Sequence, residues 1–133
     1  MVSVPIIDVL IVGGSHAGLS AALTLYRALH TCVIFDTNAP RNSYSTAVHL
    51  TPGMENKDAD KMREECRDEL KKSGLITFVD QGVVKVEKTS GGLFQATDSQ
   101  GTLWLGRKLL LAYGTEEIFP DLAGYAENYS TGM

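Results

Sequence analysis

The residues whose types and spacing point most directly to chemistry are the run Gly13-Gly14-Ser15-His16-Ala17-Gly18 and Asp36, eighteen residues beyond it. A turn that holds a dinucleotide needs one glycine to leave a strand tightly and a second to let backbone approach a pyrophosphate. A third allows the following helix to pack closely on the strand. Gly13 and Gly18 occupy the first and third places; the second falls on Ser15, with an extra glycine one place earlier at Gly14. The serine Cβ restrains that approach, while its hydroxyl can bond a phosphate oxygen. A helix starting here would offer free N–H groups and a positive dipole end to the anion. Asp36 falls where a carboxylate meets ribose hydroxyls, and its charge opposes a 2′-phosphate. The plainer alternative is a tight turn that binds nothing.

Other side chains carry a sharp and a bland reading together. His16 is either a phosphate contact or an acid–base group, or simply a turn residue facing solvent. His49, between Val48 and Leu50 on a long loop, is a ligand or catalytic candidate or an ordinary loop residue. His30 suits a helix C-terminus. Cys66 on an apolar helix stripe, and Cys32 on a strand, read as core. Lys61, Arg63, Glu64, Glu65, Arg67, Asp68 and Glu69 read as a solvated helix face laced by pairs three or four apart.

The elements that must position these residues follow from pattern. Ile6 to Val12 is apolar and β-branched on both faces, as in a buried parallel strand. Asp8 interrupts the run and no basic segment precedes it, so a secretory leader is not expected. Leu19 to His30, without Gly or Pro, reads as a helix, and Thr31 to Asp36 as a second strand, completing a βαβ unit. Thr37 to Lys57, with Pro40, Pro52 and Gly53, reads as a long functional loop. Asp58 caps a helix to Lys72, with Ala59, Met62, Cys66 and Leu70 on one stripe. Leu75 to Phe78 is a third strand. Gly82 to Glu87, Leu93 to Asp98 and Leu103 to Lys108 form a meander, and Leu109 to Tyr113 a returning strand before Gly114. The expected class is α/β: one domain over residues 1–133, a Rossmann-like parallel sheet with flanking helices and a three-stranded antiparallel meander insertion.

Composition narrows the function. The chain has 133 residues, 44% of them hydrophobic, and a formal charge of −4. That suits a soluble cytoplasmic domain, offers no basic footprint for nucleic acid, and contains no apolar run long enough to span a membrane. Two cysteines thirty-four residues apart provide neither a CxxC pair nor a four-cysteine metal site. No metal centre is expected.

The segment DVLIVGGSHAGLSAALTLYRALHTCVIFD, the following PRN, and LLLAYGTEEIFPDLAGYAENYS closely resemble fungal thioredoxin-reductase-like flavoproteins, a group that includes dithiol oxidases of secondary metabolism. The resemblance covers nearly the whole chain and implies FAD as cofactor. It implies that Gly13, Gly14, Ser15, Ala17 and Gly18 line the FAD pyrophosphate and that Asp36 meets the adenosine ribose. By the same match Arg41 and Asn42 lie near phosphate or flavin, Val84 contacts the adenine, and Gly114 lines the flavin side. His16 stands where proline is frequent, and Tyr113 where a small hydroxyl is common. In such proteins the CxxC pair, an NADPH domain and a second stretch of FAD domain follow the last of these segments. The expectation is therefore an FAD-binding oxidoreductase module, incomplete for autonomous NADPH and disulfide chemistry and acting with a small-molecule substrate or a redox partner protein. One alternative is a non-redox isomerase, cyclase or lyase using His16, His49, Asp36 and Tyr113 as acid–base groups; another is a remnant without catalysis. Exposed apolar surface leads us to expect a homodimer or higher oligomer, with the segment from Ile118 to Met133 at the interface.

Overall fold

The computed structural model describes residues 4–129. In chain order they form β1 (Ile6–Val12), α1 (His16–Arg27), β2 (Cys32–Phe35), a 3-10 turn (Arg41–Tyr44), α2 (Ala59–Lys71), β3 (Ile76–Val79), β4 (Val83–Lys88), β5 (Phe94–Asp98), β6 (Leu103–Leu111) and the short α3 (Tyr125–Asn128). One six-stranded sheet runs in the order β3-β2-β1-β6-β5-β4. The four strands from β3 to β6 in that order are parallel, while β5 and β4 turn back antiparallel.

The central strands are where the sequence is most uniformly apolar. Leu10 and Ile11 of β1 and Val33 and Ile34 of β2 have no solvent exposure at all, because both faces of a parallel sheet must be covered. On one face Val9, Ile11, Cys32, Ile34 and Ile76 pack with Leu19 and Ala22 of α1 and Leu70 of α2. On the other, Leu10, Val33 and Phe35 pack with Ala96 and Trp104 from the meander. The meander thus covers one sheet face while remaining joined to the sheet by its edge.

Two boundaries differ from the pattern reading. The third meander strand and the returning strand are a single strand, β6, in which Gly106 pairs with Phe94 of β5 and with Ile7 of β1. Leu10 lies directly over Gly106, where a Cβ would come within 2.5 Å of its side chain. Gly106 thus leaves room for the side chain of Leu10 on the neighbouring strand. Helix α1 begins at His16, immediately after the glycine turn, so that turn is the helix N-terminus itself. Asp8, the polar interruption of β1, accepts hydrogen bonds from the Thr31 N–H at 2.9 Å and the Thr31 hydroxyl at 3.0 Å, tying β1 to the entry of β2. Among the described residues no helix is long and apolar enough to cross a membrane.

Candidate functional site

At the carboxyl ends of β1, β2 and β6 the chain opens a cleft of about 660 Å³. This is where ligands bind in open α/β sheets, since strand ends deliver loops and a helix N-terminus to one crevice. Gly13 to His16 form one wall, Asp36 to Asn42 another, and residues of β4 and the segment after β6 the rest.

Each glycine of the turn has a distinct steric reason. Gly13 has φ +114°, and a Cβ there would lie 2.2 Å from the Ala112 carbonyl oxygen. At Gly14 a Cβ would lie 2.4 Å from Asp36 Oδ2, so the turn is pressed against the carboxylate. At Gly18 it would lie 1.9 Å from the Gly13 carbonyl oxygen, so the helix packs directly under the turn. Ser15 is the N-cap of α1 and its side chain makes no capping hydrogen bond. The first helical bond runs from the Leu19 N–H to the Ser15 carbonyl, which leaves the preceding N–H groups without intrahelical acceptors. No acidic residue occupies the first turn. The positive end of α1 is thereby presented to the cleft without an acidic side chain of the helix's own to offset it.

Asp36 sits at the lip with both oxygens oriented. Oδ1 accepts the Asn38 N–H at 3.0 Å, and Oδ2 accepts Arg67 Nη1 at 3.0 Å. Each oxygen keeps a further lone pair for a hydroxyl donor. Asn42 lines the cleft and accepts a hydrogen bond from Arg63 Nη1 at 3.0 Å. Arg63, which also pairs with Asp60, is itself buried. Arg41 pairs with Glu117 at 3.1 Å, linking the long loop to the segment after β6.

The cleft brings together Gly13, Gly14, Ser15, His16, Asp36, Arg41, Asn42, Val84, Tyr113 and Gly114. Ala17 and Gly18 lie outside its lining; Gly18 is buried beneath the turn, while Ala17 is exposed on the helix. His49 also lies outside. Its Nδ1 is 2.7 Å from Glu55 Oε1, and the other Glu55 oxygen accepts the Leu50 N–H, closing a small surface loop away from the crevice. The His49 and Leu50 contacts hold the Glu55 carboxyl below the usual range.

The largest departure from the pattern reading concerns α2. Arg63 is 8% exposed and the Arg67 side chain 13%, so neither belongs to a solvated face. A signal was available: Ala59, Met62, Arg63, Cys66, Arg67 and Leu70 follow the spacing of a core-facing stripe, and two of its positions are arginines. The cysteines are core groups. Burial, with Asp8 nearby, pushes the Cys32 thiol up to about 11, and burial raises Cys66 as well. Both remain protonated near neutrality, and among the described residues no cluster of metal-ligating side chains occurs.

Fold and crevice together define a Rossmann-like α/β module with an open cleft at its strand ends. Residues 7–133 match the pyridine nucleotide-disulphide oxidoreductase family model, and the chain belongs to that family. It is 38% identical to the thioredoxin reductase sirT of Leptosphaeria maculans over 92% of this chain and 38% of the relative. It is 40% identical to the thioredoxin reductase aclD of Aspergillus oryzae over 92% of this chain and 40% of the relative. Among solved structures, an oxidoreductase from Agrobacterium tumefaciens superposes with a TM-score of 0.86 at 32% identity, over 93% of this chain and 42% of that one. The chain thus spans about two fifths of the proteins it matches.

Proposed function

We propose that this chain is the FAD-holding part of a thioredoxin-reductase-like oxidoreductase of fungal secondary metabolism. It would work in the cytoplasm on a small-molecule substrate or with a redox partner protein. The observation that carries the reading is the cradle formed by Gly13, Gly14 and Ser15 at an uncapped, acid-free helix N-terminus, with the oriented Asp36 carboxylate beside it. These residues fit an adenine dinucleotide. The Gly13 N–H is held by the Phe35 carbonyl, while the N–H groups of Gly14, Ser15 and His16 precede the first helical bond and remain for a pyrophosphate. Asp36 retains acceptor capacity for ribose hydroxyls.

When bound, FAD would supply the hydride- and electron-accepting centre. The chain's own residues bind and orient it: the turn N–H groups hold phosphate oxygens, Asp36 the ribose, Val84 the adenine, and Arg41, Asn42 and Gly114 the remainder. Of the four acid–base candidates, His16, Asp36 and Tyr113 line the cleft and belong to the proposal, whereas His49 faces Glu55. The buried Cys32 and the half-buried Cys66, both protonated, are no substitute for a CxxC pair. Disulfide exchange is therefore assigned to residues other than these two.

The test is reconstitution of the full chain with FAD, gel filtration, and a visible spectrum. Retained flavin absorbance in stoichiometric amount supports the reading. Complete loss of flavin from folded protein refutes it.

A further inference from the structure

We propose that Arg67 is a positioning residue for nucleotide binding, acting through Asp36 from outside the cleft. The inference rests on the FAD reading above and assigns a role to a helix residue that does not line the crevice. Arg67 is fixed on three sides. Its Nη1 donates to Asp36 Oδ2 at 3.0 Å, its Nη2 to Asp80 Oδ1 at 2.5 Å, and its guanidinium carbon lies 4.5 Å from the centre of the Phe78 ring. The Arg67 and Asp36 side chains are only 13% and 14% exposed, while Asp80 is 70% exposed. Asp80 and Phe78 therefore anchor the guanidinium against β3 and its end, and Asp36 is the one contact that leads to the ligand.

The consequence for Asp36 is steric as well as electrostatic. Oδ2 is confined between the guanidinium and the backbone of Gly14, where even a methyl group would sit at 2.4 Å. Oδ1 is held by the Asn38 N–H. The carboxylate is thus oriented before any ligand arrives, and orientation gained in advance is not lost on binding. Two carboxylates share one guanidinium, so Asp36 keeps acceptor strength toward hydroxyl donors. A planar fork can serve two acceptors at once in fixed directions, which an ammonium cannot reproduce.

The experiment is a double-mutant cycle on FAD affinity in the full chain, read by flavin fluorescence, with circular dichroism confirming the fold. The variants are Arg67→Met, Asp36→Asn and the two combined, with Arg67→Lys and Asp80→Asn as milder probes. Expected are losses of about tenfold for Arg67→Met and for Asp36→Asn, the scale of one charge-assisted hydrogen bond. The combined variant should lose no more than Asp36→Asn alone, and Arg67→Lys should fall between native and Arg67→Met. Equal losses for Arg67→Met in both backgrounds would reveal a merely structural role and overturn the inference; so would native affinity in Arg67→Met. If Arg67→Met does not fold, Arg67→Lys and Asp80→Asn in the two Asp36 backgrounds decide by the same criterion. Native protein that binds FAD while Asp36→Asn binds equally well sinks this inference and leaves the cofactor reading standing. Native protein that takes up no FAD removes both.

Discussion

Gly14 is buried with its α-carbon turned toward the Asp36 carboxylate, so its missing side chain is space that Asp36 occupies. A methyl group there must displace the carboxylate or the turn, and both belong to the proposed nucleotide site. Gly14→Ala is expected to weaken FAD binding by about tenfold or more, on the scale of losing a charge-assisted hydrogen bond, while leaving a folded protein. Titration of flavin fluorescence, beside a thermal melt, checks it; unchanged affinity would show that Asp36 is not held by this packing. The need for glycine at 13 and 18 was legible from the spacing alone. The reason for Gly14 was not, because the atom it avoids belongs to a residue twenty-two positions later. His49 shows the converse: its type suggested chemistry, yet its partner, Glu55, was visible only once the loop had closed.

At the scale of elements, the hairpin joining β5 to β6 is organised by one carboxylate. Asp98 Oδ1 accepts the N–H groups of Gln100 and Thr102, and Oδ2 accepts the indole N–H of Trp104 at 3.0 Å. Trp104 in turn meets Phe35 edge to face at 5.7 Å, carrying the hairpin onto the sheet. The Trp104 bond, then those from Thr102 and Gln100, hold the Asp98 carboxyl below its ordinary value of 3.8. A carboxyl lowered in the folded state stabilises it above the unfolded value, and that contribution disappears as pH falls through the lowered one. Asp98→Asn turns an amide donor toward donors. It is expected to lower Tm at neutral pH by about 5 °C and to flatten the loss of stability below pH 3.8. Melts of both proteins across the acid range measure this. Helix α2 shows how far pattern carries: the Asp58 cap is real, its side chain accepting the Lys61 N–H at 2.8 Å. Arg63 and Arg67 lay on the core-facing spacing, but charge alone placed them in solvent. Their burial required partners from the long loop and β3 that no local window contains.

Across the whole molecule, the segment after β6 folds back on the long loop. Phe119, Tyr125 and Tyr129 cluster with Tyr44, the closest pair, Phe119 and Tyr129, having ring centres 4.7 Å apart. The expected apolar patch is therefore partly satisfied within the chain, and residues 130–133 of that expectation lie outside the described part. Ile118 remains 92% exposed and Leu122 63%, which supports the proposal of a homodimer. Light scattering on a size-exclusion column is expected to give twice the 14.4 kDa chain mass, and Ile118→Glu with Leu122→Glu to give the monomer. A native monomer would end the proposal.

What the sequence determined by itself was local: period, turn chemistry and the spacing from glycine turn to acid. These are set by backbone sterics and nearest neighbours, and they were enough for the α/β class and for the place of the crevice at the glycine turn. What only the tertiary structure decided was the identity of contacts between residues far apart in the chain. Arg67 reached Asp36, Gly14 made room for that pair, and β6 proved to be one strand paired along β1, with Gly106 making room for Leu10. Such contacts depend on which surfaces packing brings within a few ångströms, and that is a property of the closed sheet and its covering layers rather than of any stretch of residues.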